Sequence, residues 1–76
     1  MRLEEVFADV FEEPVDRFDE DSTPETVFKW TSLMHITLLM EIESAYDVQF
    51  SNSEMIALRS LGDIRAALAR KGVEPA

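Results

Sequence analysis

The sequence predicts an all-α fold: a small four-helix bundle with a long first loop and a short third helix. Apolar residues recur at helical spacing in three stretches of the 76-residue chain, which is typical of amphipathic helices. Serine or threonine stands where the later helices are expected to begin, as helix caps do. Residues 14–30 show no sustained period. A chain of this length has room for one core, so we expect residues 1–76 to form a single domain.

The first helix is predicted over residues 3–11, where apolar residues recur at i, i+3, i+4 and i+7. They are Leu3, Val6, Phe7 and Val10. Pro14 marks its end, since proline in a helix interior removes a hydrogen bond and clashes. Residues 14–30 then form a long ordered loop, of a length that is often functional in so small a domain. Its expected anchors on the core are Val15, Phe18, Val27, Phe28 and Trp30.

The second helix, predicted from a cap at Thr31 to about Tyr46, has two apolar sides. At about 100° of turn per residue, one side carries Leu38, Leu39, Ile42, Ala45 and Tyr46. The opposite side carries Leu33, Ile36 and Met40, which we call the outer stripe. A small domain normally turns one apolar stripe towards its core. The first side is assigned to the core, and the outer stripe needs another explanation.

The remaining chain predicts a link and two further helices. Val48 and Phe50 should point inward from a short extended link, and Ser51 or Ser53 should cap a brief third helix that runs through Leu58. The last helix should begin near Ser60, where Ser60-x-x-Asp63 resembles a capping box. Its inward side is Leu61, Ile64, Ala67 and Leu68, and Gly72 is a natural stop.

The charge is strongly acidic, with 16 acidic against 7 basic residues and a net charge of −9. This excess repels nucleic-acid phosphate and anionic lipid, and it favours partners with basic surfaces. No lysine or arginine occurs from Trp30 to Leu58. The acids of that stretch are therefore expected on a face without internal neutralisation, either as a solvated face or as a docking face. They are Glu41, Glu43, Asp47 and Glu54.

Cysteine is absent, which excludes disulfides and thiolate metal sites. No apolar run approaches the ~20 residues of a membrane span, and no signal-peptide pattern precedes the first helix. We therefore expect a cytoplasmic protein without membrane insertion.

The sequence offers little support for a catalytic site or a metal site. The single histidine, His35, follows Ser32 on the same helix and falls towards the core face, so a structural histidine is expected and not a catalytic base. The acidic stretch "DRFDEDSTPE" resembles a calcium loop, but Phe18 and Asp21 stand where such a loop needs an oxygen ligand and a glycine. No catalytic residue and no metal ligand are predicted.

The remaining candidate for a functional residue is Ser32, which stands where the long loop ends and a helix begins. Its hydroxyl should be exposed where backbone N–H groups point outward, and the positive end of the helix dipole would favour a phosphodiester there. A serine at a helix start is by itself more often only a cap. Here the outer stripe follows it directly.

The stretch "WTSLMHITLLMEIESAYDVQFSNSEMIALRSLGDI" resembles the acyl carrier protein family. That family opens its second helix with Asp-Ser-Leu, ends it in a Glu-rich aromatic stretch and starts its fourth helix with S-x-G-D. The matching segments here are Ser32-Leu33, Glu41-Ile42-Glu43 with Tyr46, and Leu61-Gly62-Asp63-Ile64. The resemblance covers essentially the whole chain.

The resemblance implies that Ser32 carries a 4′-phosphopantetheine arm, installed from coenzyme A by a phosphopantetheinyl transferase. Acyl groups would be attached to the thiol of the arm as thioesters. A monomeric, non-enzymatic carrier would present them to acyl-loading and ketosynthase-type enzymes with basic docking surfaces. The implied partner-binding residues are the outer stripe with Glu43, Asp47 and Glu54.

Three positions depart from the family pattern. Thr31 replaces the usual aspartate, and Met34 and Thr37 stand where many fatty-acid carriers have acids. These departures favour polyketide or other specialised acyl biosynthesis over housekeeping fatty-acid biosynthesis. The alternatives are an aminoacyl or peptidyl carrier of nonribosomal peptide synthesis, and an acidic helical interaction module that is never modified.

Overall fold

Four α-helices and one 3₁₀ turn make up the secondary structure of residues 2–75, which the computed structural model describes. The helices are α1 (Leu3–Phe11), α2 (Ser32–Tyr46), α3 (Asn52–Ala57) and α4 (Leu61–Arg70), with the turn at Val15–Arg17. The predicted all-α fold, with its long first loop and short third helix, is confirmed. Met1 and Ala76, the ends of the predicted 1–76 domain, lie outside the described residues.

The helix starts follow the predicted capping chemistry. Thr31 caps α2: its Oγ1 accepts from Met34 N–H at 3.3 Å, and the helix begins at Ser32. Ser51 caps α3 in a full capping box, because its Oγ accepts from Glu54 N at 3.1 Å while the Glu54 carboxylate accepts from Ser51 N at 2.8 Å. The chain therefore selects Ser51 over Ser53 as the cap of α3.

The start of α4 differs in one contact from the predicted capping box. Ser60 Oγ accepts from Asp63 N at 2.9 Å, as expected. The Asp63 carboxylate instead accepts from Arg59 N at 3.1 Å, one residue before the cap. At the other end, Gly72 has φ +83° directly after the last turn, a left-handed conformation that glycine adopts without strain.

The core is apolar and is supplied by α1, α2, α4 and the connecting segments. Its buried residues are Leu3, Val6, Phe7, Phe11, Phe18, Trp30, Leu38, Leu39, Ile42, Phe50, Leu58, Leu61, Ile64, Ala67 and Leu68. Four of its aromatic rings form one cluster, in which Phe7 meets Trp30 edge-on at 5.3 Å between centroids and Phe11 stacks on Phe18 at 6.1 Å. The i, i+3, i+4, i+7 pattern included Val10 but not Phe11. In the structure Phe11 is buried, whereas Val10 is only half-buried.

The prediction of a core position is wrong for two residues. Phe28 is 95% exposed, because a tight turn in which Trp30 N–H donates to Val27 O at 2.9 Å turns Val27 and Trp30 inward and leaves Phe28 outside. Ala45 is also exposed. Its short side chain borders a surface groove between α1 and α2 that also contains Asp9 and Glu41.

The long loop is fastened to the start of α4 by backbone hydrogen bonds. Leu61 N–H donates to Ser22 O and Gly62 N–H donates to Glu20 O, each at 3.0 Å. These N–H groups belong to the first helical turn, which has no intrahelical acceptors for them. Arg65 adds ion pairs of 2.6 Å to both Glu20 and Glu4. The loop, α1 and α4 are thus joined at one place, and the predicted ordered loop is confirmed.

Gly62→Ala should test this junction. The added Cβ would lie 3.0 Å from Glu20 O, a backbone atom that Gly62 N–H already holds in place. Alanine normally stabilises a helix relative to glycine by about 1 kcal/mol, but here we expect the crowding to dominate and to lower the free energy of unfolding by about 1–2 kcal/mol. Urea unfolding measures it. The loss should persist in a Glu20→Ala background, where the carbonyl remains, and a more stable Gly62→Ala variant would contradict the model of a fixed junction.

Candidate functional site

Ser32 is the first helical residue of α2 and is exposed. Thr31 precedes it in an extended conformation and caps the helix. The first N–H groups of a helix have no intrahelical partner, and the helix dipole is positive at this end. The predicted exposed hydroxyl beside outward-pointing N–H groups is therefore present in the structure.

A groove of about 730 Å³ opens beside Ser32, between α2, α3 and the end of the long loop. Its walls are mainly apolar. The lining residues are Pro24, Trp30, Thr31, Ser32, His35, Ile36, Asn52, Met55, Ile56, Leu58 and Arg59. Sequence periodicity did not predict this groove, because α3 and the start of α2 have to meet to form it, and the contacting residues His35 and Met55 are 20 positions apart in the chain.

His35 links the loop to α3 across this groove. Trp30 Nε1–H donates to His35 Nδ1 at 2.9 Å, and His35 Nε2 lies 2.8 Å from Met55 O. An indole nitrogen can only donate, so Nδ1 carries the lone pair and Nε2–H donates to the carbonyl. Both nitrogens of the imidazole therefore have hydrogen-bond partners. The prediction of a structural histidine is confirmed.

The two-sided character of α2 is confirmed by burial. Leu38, Leu39 and Ile42 are completely buried. On the opposite side, the outer stripe of Leu33, Ile36 and Met40 is 73%, 54% and 60% exposed. Ile56 of α3 is 75% exposed and lines the same groove as Ile36. The outer stripe therefore continues onto α3, which the helical period of α2 alone does not predict.

A family model for the phosphopantetheine attachment site matches residues 2–68. The chain belongs to the phosphopantetheine-attachment family. The match runs from the start of α1 into the last turns of α4, so it covers the fold and the groove together. A search among curated proteins found no match.

The phosphopantetheine-attachment family is defined by covalent 4′-phosphopantetheine, and the chain is accordingly a carrier domain that works with modifying and acyl-processing enzymes. The start of α2 fits this group on chemical grounds. A phosphodiester needs a reachable hydroxyl, and Ser32 is exposed at the first position of α2. Helix N-termini favour phosphate through free N–H groups and the dipole.

The acidic residues of this carrier domain are less free than the sequence indicated. Glu43 is half-buried, and its carboxylate accepts from Phe50 N at 2.8 Å. Glu54 forms an ion pair of 3.0 Å with Lys71, so its predicted lack of internal neutralisation is wrong. Lys71 follows α4, far along the chain from the stretch that contains no base. Asp47 is exposed, at the left-handed end of α2.

Within residues 2–75 no group of three or more histidine, aspartate or glutamate side chains is placed to hold a metal ion. In the same range no helix is long and apolar enough to cross a membrane.

The capping box of α3 should make stability depend on pH. The Ser51 backbone N–H, together with the Lys71 ammonium, holds the pKa of the Glu54 carboxyl below its ordinary value. A lowered pKa stabilises the folded protein fully above the ordinary glutamate value of about 4.3, and this contribution is lost as the pH falls through the lower folded value. Glu54→Gln should therefore be less stable than the parent at pH 6–7, and the difference should shrink below about pH 4.

Thermal melts at several pH values measure this difference. Glu25→Gln, at an exposed loop position, removes the same charge away from the cap and serves as the control. A Glu54→Gln deficit that stays constant between pH 7 and pH 3 would refute the assigned role of this carboxylate.

Proposed function

We propose that Ser32 carries the 4′-phosphopantetheine arm and that residues 1–76 act as a single acyl carrier domain. The observation that supports this most is the family match over residues 2–68, combined with the exposed serine at the start of α2. Three of the other serines are less suitable. Ser51 and Ser60 use their hydroxyls as helix caps, and Ser22 is buried.

Attachment requires the Ser32 hydroxyl to bond to phosphorus and to lose its proton, while the nucleotide half of coenzyme A leaves. The domain contributes an exposed hydroxyl and the α2 N-terminus, which favours an anion by about 0.3–1 kcal/mol. It supplies no base there: both nitrogens of His35 are occupied and the groove lining contains no carboxylate. We infer that the phosphopantetheinyl transferase provides the base.

When attached, the arm supplies a thiol on which acyl groups are carried as thioesters. The chain has no cysteine of its own, so no protein thiol competes for the acyl group. The role of the chain is to hold and present cargo, and the reactions belong to its partners.

The partner surface in this proposal is the outer stripe, with Glu43, Asp47 and Glu54 at its rim. An apolar centre with a charged rim is the usual arrangement of a protein interface. Its partners are the transferase, acyl-loading enzymes and ketosynthase-type enzymes with basic docking surfaces. Glu43 and Glu54 also have internal partners, so Asp47 is the rim acid whose charge is most available.

The pathway in this proposal is polyketide, fatty-acid or other specialised acyl biosynthesis, in the cytoplasm, with the domain as a monomer. Thr31, Met34 and Thr37 make the start of α2 less acidic than in many fatty-acid carriers, which favours a specialised pathway. An aminoacyl or peptidyl carrier of nonribosomal peptide synthesis is the alternative within the family.

Ser32→Ala should abolish modification. The protein is incubated with coenzyme A and a phosphopantetheinyl transferase, and intact-mass spectrometry detects the arm. Ser60→Ala, at the second Ser-Leu pair of the chain, should still be modified, and circular dichroism checks that both variants are folded. Modification that persists in Ser32→Ala would refute the site, and an unmodified parent would favour the interaction module.

The outer stripe should matter for partners and not for folding. Leu38→Ala removes a completely buried side chain and should cost about 2–5 kcal/mol, a large part of the stability of a small domain. Replacing Ile36 and Met40 together by serine changes exposed positions, which usually shifts stability by less than about 0.5 kcal/mol each. That double variant should melt like the parent but accept the arm more slowly, because it lacks the apolar centre of the contact.

Thermal melts and transferase kinetics on the same two variants measure both effects. A double variant that is both stable and modified at the parent rate would show that the stripe is not the docking surface. Unfolding of the double variant alone would reverse the assignment of the two faces.

A further inference from the structure

The groove beside Ser32 has a local charge opposite to that of the protein. The chain carries a net charge of −9, yet the groove lining includes one arginine, Arg59, and neither aspartate nor glutamate. The second groove, between α1 and α2, contains the acids Asp9 and Glu41. The first groove is therefore a place in this acidic molecule where an anion meets attraction and not repulsion.

The Arg59 guanidinium is available for such an anion. Within residues 2–75 ion pairs occupy four of the basic residues, Arg2, Lys29, Arg65 and Lys71. Among the described residues Arg59 has no acid within ion-pair distance, as is also true of Arg17 and Arg70, but of these three only Arg59 lines the groove. The acid closest to it in sequence, Asp63, is directed at the Arg59 backbone N–H instead. In a chain with more than two acids for each base, this cation is left without an internal partner at the edge of the groove.

We propose that Arg59 holds an anionic group that the arm on Ser32 brings into the groove. The anion is either the phosphodiester of the arm or a carboxylate on the acyl cargo. This inference rests on the proposed function, because it needs the arm at Ser32. A guanidinium forms a planar fork of donors that matches the two oxygens of a carboxylate or phosphate.

The apolar walls of the groove strengthen this interaction. Trp30, Ile36, Met55 and Ile56 line the same groove as Ser32 and Arg59. Charge-assisted hydrogen bonds are stronger where such walls exclude water and lower the effective dielectric. The same walls can hold the methylene groups of an acyl chain. The groove would then select an acyl group by its charge as well as by its length.

The experiment compares cargoes that differ only in one carboxylate. A phosphopantetheinyl transferase loads the domain from coenzyme A, butyryl-coenzyme A or succinyl-coenzyme A, and mass spectrometry verifies each product. The Arg59 Nε–H resonance is followed by NMR from the unmodified protein through all three forms. A shift that appears with the arm alone identifies the phosphodiester, and a shift that appears only with succinyl identifies the cargo carboxylate; both support the proposal.

Charge variants provide the matched control. Arg59→Gln should remove the few-degree rise in Tm that anion binding produces, whether this rise accompanies arm attachment or the change from butyryl to succinyl. Arg70→Gln removes the same charge at an exposed position outside the groove and should keep that rise. Equal loss in both variants would indicate a general charge effect and overturn the specific role of Arg59.

Failure of this inference can be told from failure of the proposed function. If mass spectrometry shows the arm on Ser32 but the Arg59 resonance stays the same in all forms, Arg59 binds no anion and this inference alone is overturned. If no mass increase occurs, the proposed function falls and the inference falls with it.

Discussion

The hydrogen-bonded chain from Trp30 through His35 to Met55 is the constraint on which the site geometry depends. Helix α3 has no fully buried residue of its own, and of its side chains the half-buried Met55 packs against the core, so burial alone fixes its position weakly. It is held by Ser51 at its start, by the Glu54–Lys71 ion pair and by the Met55 carbonyl that accepts from His35. The His35 contact joins it to α2 and to the loop end directly before Ser32. Removing His35 would leave two part-buried polar groups unpaired, which typically costs about 1–3 kcal/mol each.

The fold could be read from the sequence wherever local chemistry decides it. The helix start at Ser32 follows from Thr31, and the start of α3 is limited to a cap at Ser51 or Ser53, because a cap acts on N–H groups only two or three residues away. The two apolar sides of α2 follow from the helical period. The errors arise where distant residues meet or a turn reverses the chain. The prediction for Phe28 fails because a tight turn places this side chain outside the core. The prediction for Glu54 fails because Lys71, which follows α4, forms an ion pair with it.

The candidate site divides in the same way. Ser32 and the outer stripe could be predicted, because one helix contains them and its period places them. The groove and its charge could not, because Arg59, Met55 and Trp30 belong to three segments that periodicity treats separately. A net charge of −9 also hides a local inversion of sign, since a total says nothing about distribution. Structure therefore adds most at the groove, where residues from different segments meet, and least on a surface that one helix determines.

Trp30 gives the molecule an internal optical reporter. It is the single tryptophan of the chain, and it is 3% exposed. Its Nε1–H donates to His35, the residue that links the loop end to α3. Indole emission responds to the polarity around the ring and to the hydrogen bond at its nitrogen. A chain that entered the groove, or a displacement of α3 that released Met55, would change both. If the proposed arm brings an acyl chain into the groove, the unlabelled protein would report this in real time through its own fluorescence.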